Sequence, residues 1–274
     1  MFLYSERGAD QMTRCPLGRP AHLTFRDFQT GFSLTPPDVE SLNVSSAKWC
    51  RQSWEGSADN MNVMDAHTFE AQRAYRLNYL LYVPEHDKDT SLPLLLYLHG
   101  GGESGYDLDL LKTCGLPKSI EEGRTFPFTV LAPQNPNPDR LFSDEAIFAL
   151  LEEVIRTYSV DTKRIYLTGY SRGGFAAWRM AVQRPDLFAA LVPVAAGGLV
   201  TYAFRAKEVP VWTFHGALDE VVPLTLGAEM VDALRAAGGN VKLTVFSEAD
   251  HAQTPQLTYQ YSDLYEWLSE QAKD

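Results

Sequence analysis

From residue 77 onward, short apolar runs alternate with longer stretches whose apolar positions recur every three or four residues. Residues 77–83 and 94–98 read as strands, the second apolar without interruption and so expected to be buried on both faces. A shorter apolar segment at 130–132 is stopped by the run PQNPNP. Ser143 then stands where it can cap a helix through about residue 158, with Ile147, Leu150, Leu151, Val154 and Ile155 on one stripe. The pattern continues with a strand at 164–168, a helix at 172–183 ending before Pro185, and strands at 191–195 and 211–214. A helix at 226–237 closed by Gly238, a strand at 241–246 and a last helix at 258–271 complete it. Strand and helix alternating in this way predict an α/β protein, a mostly parallel central sheet with helices on both faces.

Upstream the pattern fades. Period-two alternation at 22–28, Trp49 and Trp54 suggest packed chain, whereas Pro36-Pro37 and the polar stretch 55–62 suggest loops. Residues 1–70 are therefore read as an N-terminal extension packed on a catalytic domain at 71–274. The extension would add antiparallel strands or irregular chain to the core, or else form a small cap near the site.

Bulk properties narrow the function classes. A chain of 274 residues can bury one full-sized core without splitting. The formal net charge is −11 with no basic stripe, which argues against nucleic acid as a partner. The three cysteines, Cys15, Cys50 and Cys114, show neither CxxC nor metal-like spacing, and no HExxH occurs. Neither a metal nor another cofactor is expected, and no disulfide framework is indicated. The opening MFLYSERGAD turns polar after four residues, and no apolar run approaches the ~18 residues of a membrane span. These features predict a cytoplasmic protein with no membrane span; its oligomeric state is not legible.

Four fragments carry the chemistry, each at the carboxyl end of a predicted strand, where open α/β sheets build their sites. Gly169-Tyr170-Ser171-Arg172-Gly173 lies between the strand RIYLT and the helix FAAWRMAVQ. That context makes Ser171 a nucleophile on a sharp strand-to-helix turn, with the N–H of Arg172 aimed at a developing oxyanion. His99-Gly100-Gly101-Gly102 supplies a loop whose backbone can approach a substrate carbonyl; Gly101 is the expected second donor, with Gly102 next. Asp219, in FHGALDE after the strand VPVWTF, is the expected triad acid, with Glu220 as its rival. His251, beyond the last strand, is the expected general base, and Asp250 a loop carboxylate. His99 and His215 read as structural histidines.

The runs YRLNYLLYVP, PLLLYLHGGGESG, VLAPQNP, RIYLTGYSRGGFAAW, PDLFAALVPVAAG and VPVWTFHGALDEVVP resemble one group of α/β-hydrolases over roughly residues 75–271. This is the group described as predicted peptidases or prolyl-oligopeptidase-like hydrolases, akin to phospholipase/carboxylesterases and polyhydroxybutyrate-depolymerase-like esterases. The resemblance implies the α/β-hydrolase fold and carboxylesterase-type activity on a small-molecule ester, with Ser171, Asp219 and His251 where that group carries its triad. Two positions depart from it: Arg172 stands where an apolar residue such as methionine is common, and the loop after His251 reads AQT. The dozen residues between the strands ending near Ala196 and starting at Val209 leave no room for a large lid domain. Hydrolysis of short- to medium-chain or aryl esters is therefore the first expectation. A serine peptidase is the alternative, and a non-catalytic binding protein on the same fold the second.

Overall fold

The computed structural model describes residues 64–70, 76–86 and 90–274. Its strands are β1 (Asp65–Glu70), β2 (Arg76–Tyr82), β3 (Leu92–Leu98), β4 (Thr129–Pro133), β5 (Val160–Tyr170), β6 (Ala190–Val194), β7 (Val211–Gly216) and β8 (Val241–Phe246). They form one sheet in the order β1-β2-β4-β3-β5-β6-β7-β8. β2 pairs antiparallel with both β1 and β4, and every pairing from β4 through β8 is parallel. This is the α/β-hydrolase fold.

Alternation along β3 shows how the sheet builds two cores. Leu94, Leu96 and Leu98 point into one cluster and Leu95 and Tyr97 into the other, all five essentially without solvent contact. The first cluster is closed by α2 (Asp144–Thr157), α3 (Arg172–Gln183) and α4 (Leu224–Ala236) through Ile147, Leu150, Trp178, Met230 and Leu234. The second is closed by α1 (Gly115–Glu121), α5 (Gln253–Gln260) and α6 (Ser262–Ser269) through Leu116, Ile120, Tyr259, Leu264 and Leu268. Burying each leucine of β3 is worth about 1.5–3 kcal/mol, which holds the strand firmly between the two layers of helices.

Local signals set the helix ends. Ser143 Oγ accepts from the Ala146 N–H at the start of α2. After α4, Gly238 takes a positive φ of 84°, and the amides of Gly238 and Gly239 return to the carbonyls of Arg235 and Leu234.

The predicted last helix at 258–271 is instead two. α5 begins earlier because the Asp250 carboxylate and carbonyl capture Gln253 and Thr254, and Pro255 falls in its first turn, where a missing N–H costs nothing. The chain breaks at Tyr261, whose extended backbone sets its ring edge-on against Trp212 and Phe214. Residues 65–70, which the sequence reading places in the extension, form the antiparallel edge strand of the sheet. The remaining expectations for residues 1–63 lie outside the described residues.

Candidate active site

Ser171 joins the end of β5 to α3 with φ 52° and ψ −119°, a conformation that costs a non-glycine residue about 1–3 kcal/mol. Two close backbone approaches hold it. A Cβ on Gly173 would stand 2.0 Å from the Leu98 carbonyl oxygen, and one on Gly169 would stand 2.3 Å from that of Gly173. The Ser171 N–H donates to the Val194 carbonyl and its own carbonyl accepts from Phe175, so β6 and α3 fix the turn from both sides. The side chain stays partly exposed.

His251 lies 2.9 Å from Ser171 Oγ through Nε2 and 2.7 Å from Asp219 Oδ2 through Nδ1. Asp219 is only 7% exposed, and its other oxygen accepts from the amides of Val221 (3.0 Å) and Val222 (2.7 Å). With the carboxylate able only to accept, Nδ1 carries the histidine proton and Nε2 is left to accept from the serine hydroxyl. The rivals fall elsewhere. Glu220 is exposed, and the Asp250 carboxylate accepts from the Gln253 N–H at the start of α5.

His215 is fully buried and donates from Nε2 to the Val222 carbonyl at 2.8 Å, with Asp219 Oδ2 at 3.5 Å. Burial lowers its pKa, so it stays neutral and shapes the turn that presents Asp219. Tyr170 is a residue the sequence reading passed over, although it lies inside the quoted motif. Its hydroxyl donates to the His251 carbonyl at 3.1 Å, and its ring lies 5.0 Å from the imidazole. Desolvation pushes the phenol pKa far up, which keeps it a neutral donor supporting the His251 loop.

The glycine loop after β3 is held as tightly. His99 Nε2 accepts from the Asn135 N–H, so Nδ1 bears the proton and donates to the Gly100 carbonyl at 2.6 Å. Gln134 Nε2 donates to the carbonyls of Glu103 and Asp107, and the Gly105 N–H donates to the Asn135 carbonyl. The PQNPNP run, read from sequence only as a strand stop, is thus the brace of this loop. Its visible signal was a polar cluster at the carboxyl end of a buried strand. Gly101 lies under the guanidinium of Arg172, whereas Gly102 is exposed with nothing within 4 Å of a Cβ built on it. The structure therefore brings Ser171, His251 and Asp219 into one hydrogen-bonded line and sets Gly101 against Arg172, with Gly102 apart.

Cys114 sits beside the same loop, and burial, followed by the charge of Glu103, pushes its thiol up to about 12. It stays protonated at neutral pH and is no competing nucleophile. Alkylation of Cys114 at pH 8, followed by peptide mass spectrometry, is expected to be at least 100-fold slower in the native protein than in urea. Comparable rates would show the thiol to be accessible and ionisable. Among the described residues no group of three or more His, Cys, Asp or Glu is placed to hold a metal ion, and no helix is long and apolar enough to cross a membrane.

A 3-10 turn at Val200–Ala206 spans the connection from β6 to β7. Leu199 (67% exposed) and Tyr202 on that connection, with Leu218 and Val221 (70% exposed) beside Asp219, present apolar surface at the carboxyl ends of these strands.

A model of the phospholipase/carboxylesterase family matches residues 126–267, more than half of the chain. The chain belongs to that family. A putative esterase, NocK, of Nocardia uniformis subsp. tsuyamanensis is 28% identical over 162 residues, covering 55% of this chain and 46% of its own. A putative carboxymethylenebutenolidase of Yersinia pestis is 34% identical over 101 residues, 34% of this chain and 38% of its own. The chain spans less than half the length of the curated relatives it matches. Among solved structures, a thermostable esterase superposes with a TM-score of 0.68 at 29% identity, covering 78% of this chain and 64% of that one. An acylaminoacyl peptidase of Pyrococcus horikoshii superposes with a TM-score of 0.61 at 16% identity over 42% of its chain, a likeness of fold alone.

Proposed function

We propose that this protein is a serine carboxylesterase acting on short- to medium-chain or aryl esters, with Ser171 as nucleophile, His251 as general base and Asp219 as its orienting acid. The observation that carries this reading is the line Ser171–His251–Asp219 at 2.9 and 2.7 Å, ending in a buried carboxylate. His251 Nε2 takes the hydroxyl proton as Ser171 Oγ bonds to the ester carbonyl carbon. The N–H groups of Arg172 and Gly101 are assigned to hold the resulting oxyanion, each such donor typically supplying about 3 kcal/mol. The imidazolium returns its proton to the departing alkoxide, leaving an acyl-enzyme. Water, deprotonated by the same histidine, attacks that ester, and collapse of the second tetrahedral species frees the acid and reprotonates Ser171.

Membership of the phospholipase/carboxylesterase family and the likeness to a thermostable esterase support ester over peptide substrates. The short β6–β7 connection, which carries only a 3-10 turn, favours small acyl groups. Hydrolysis of 4-nitrophenyl esters from acetate to palmitate is expected to peak at or below about eight acyl carbons, with a matched amide turned over far more slowly. A maximum at palmitate would overturn the size assignment, and preference for the amide would favour the peptidase. Failure of a fluorophosphonate to label Ser171 would favour a non-catalytic binding protein.

A further inference from the structure

Resting on the esterase reading, we propose that the Arg172 side chain is an anion-recognition group of this site, selecting esters that carry a carboxylate near the scissile carbonyl. Its environment differs from that of five other arginines and resembles that of Arg124 and Arg205, which also donate to backbone carbonyls. Arg156, Arg164, Arg179, Arg184 and Arg235 each pair with a carboxylate. Arg172 is held instead by neutral acceptors. Its Nη1 donates to the Pro138 carbonyl at 2.5 Å and lies 3.4 Å from Ser104 Oγ. Among the described residues no carboxylate pairs with it. Glu103, the acidic residue of the adjoining loop, is turned inward against Gly100.

Both contacts engage one nitrogen, and that leaves the Nε–Nη2 edge without a protein acceptor among the described residues. The guanidinium lies flat over Gly101, with Nη2, Cζ and Nε 3.4, 3.5 and 3.7 Å from the position a Cβ there would take. Nε–H and one Nη2–H of a guanidinium form the fork that grips a carboxylate bidentately. The guanidinium thus rests against the proposed oxyanion donor, on the residue that follows the proposed nucleophile. The Pro138 contact fixes it before substrate arrives, so little side-chain freedom is lost on binding. In a chain of net charge −11, a cation with no carboxylate partner among the described residues also concentrates anionic substrate locally.

The carboxylate can belong to the acyl or the alcohol part, and two substrate pairs distinguish these sources. Mono(4-nitrophenyl) glutarate against 4-nitrophenyl pentanoate places the charge in the acyl group. 3-Acetoxybenzoate against its methyl ester places it in the leaving group. In one pair the wild-type kcat/KM ratio, anionic over neutral, is expected to fall about 10- to 100-fold in Arg172→Met, the size of a charge-assisted contact. Arg172→Lys, which keeps the charge but not the fork, is expected to recover only part of it. In the wild type the same ratio is expected to fall as salt rises from 50 to 500 mM, a readout independent of how the variants fold.

Equal ratios in wild type and Arg172→Met for both pairs, or no salt dependence in either, would overturn the proposal while neutral-ester turnover left the esterase reading standing. Should no ester be hydrolysed, the esterase reading fails separately, and calorimetric binding of the glutarate monoester to Ser171→Ala decides this one. Binding lost when Arg172→Met is added supports it; binding absent, or unchanged by that addition, overturns it.

Discussion

Replacing Ser171 by alanine is expected to lower kcat/KM for 4-nitrophenyl butyrate by about 10⁵- to 10⁶-fold, to the residual rate that an oxyanion site gives without its nucleophile. The removed oxygen is the one within 2.9 Å of His251 Nε2. Nothing else in the turn depends on it, because Gly169, Gly173 and the Val194 carbonyl hold the backbone through main-chain contacts. Alanine tolerates the strained φ no better and no worse than serine, so the melting temperature is expected to change by only a degree or two. A folded variant retaining a tenth of the activity would show that the nucleophile is another group. The measurement needs initial rates and a melting curve on the same preparation.

The second large effect is expected from Asp219→Asn, a loss of about 10⁴-fold in kcat, or roughly 5 kcal/mol of transition-state stabilisation. The carboxylate accepts three hydrogen bonds, from the amides of Val221 and Val222 and from His251 Nδ1. Asparagine can keep the first two through its carbonyl oxygen, and its amide group then faces Nδ1 as a donor. The imidazole is driven to the other tautomer, with the proton on Nε2 pointing at Ser171, and it can no longer accept the hydroxyl proton. Asp219→Asn is therefore expected to fold normally, and Glu220→Gln, altering an exposed neighbour, to lose less than twofold. A large loss in Glu220→Gln alone would reverse the assignment of the acid.

The helix at 172–183 and the strand at 241–246 coincide with α3 and β8 because period and punctuation for each lie within the segment itself. Ser143 and Gly238 mark ends for the same reason, since capping and left-handed turns are decided by one or two neighbouring residues. The single helix expected at 258–271 shows where such reasoning stops. Its break at Tyr261 is set by Trp212 and Phe214 on β7, nearly fifty residues away, which no window along the chain contains. Tyr170 escaped for a related reason: its hydroxyl partner is a backbone carbonyl 81 residues downstream.

The same division holds across the site. Sequence alone determined the alternation of strands and helices, the carboxyl-end location of each chemical fragment, and the order Ser171, Asp219, His251, because these follow from local periodicity and turn chemistry. Only the tertiary structure decided that a histidine 80 residues beyond the serine and 32 beyond the aspartate meets both. It alone showed Gln134 and Asn135 bracing the glycine loop, and the Arg172 guanidinium lying over Gly101 with one edge free of acceptors among the described residues. Those facts depend on sheet order and register, which bring distant loops to one end of the parallel strands and set distances to fractions of an ångström. Residue types named the candidate groups; the parallel sheet decided which of them touch.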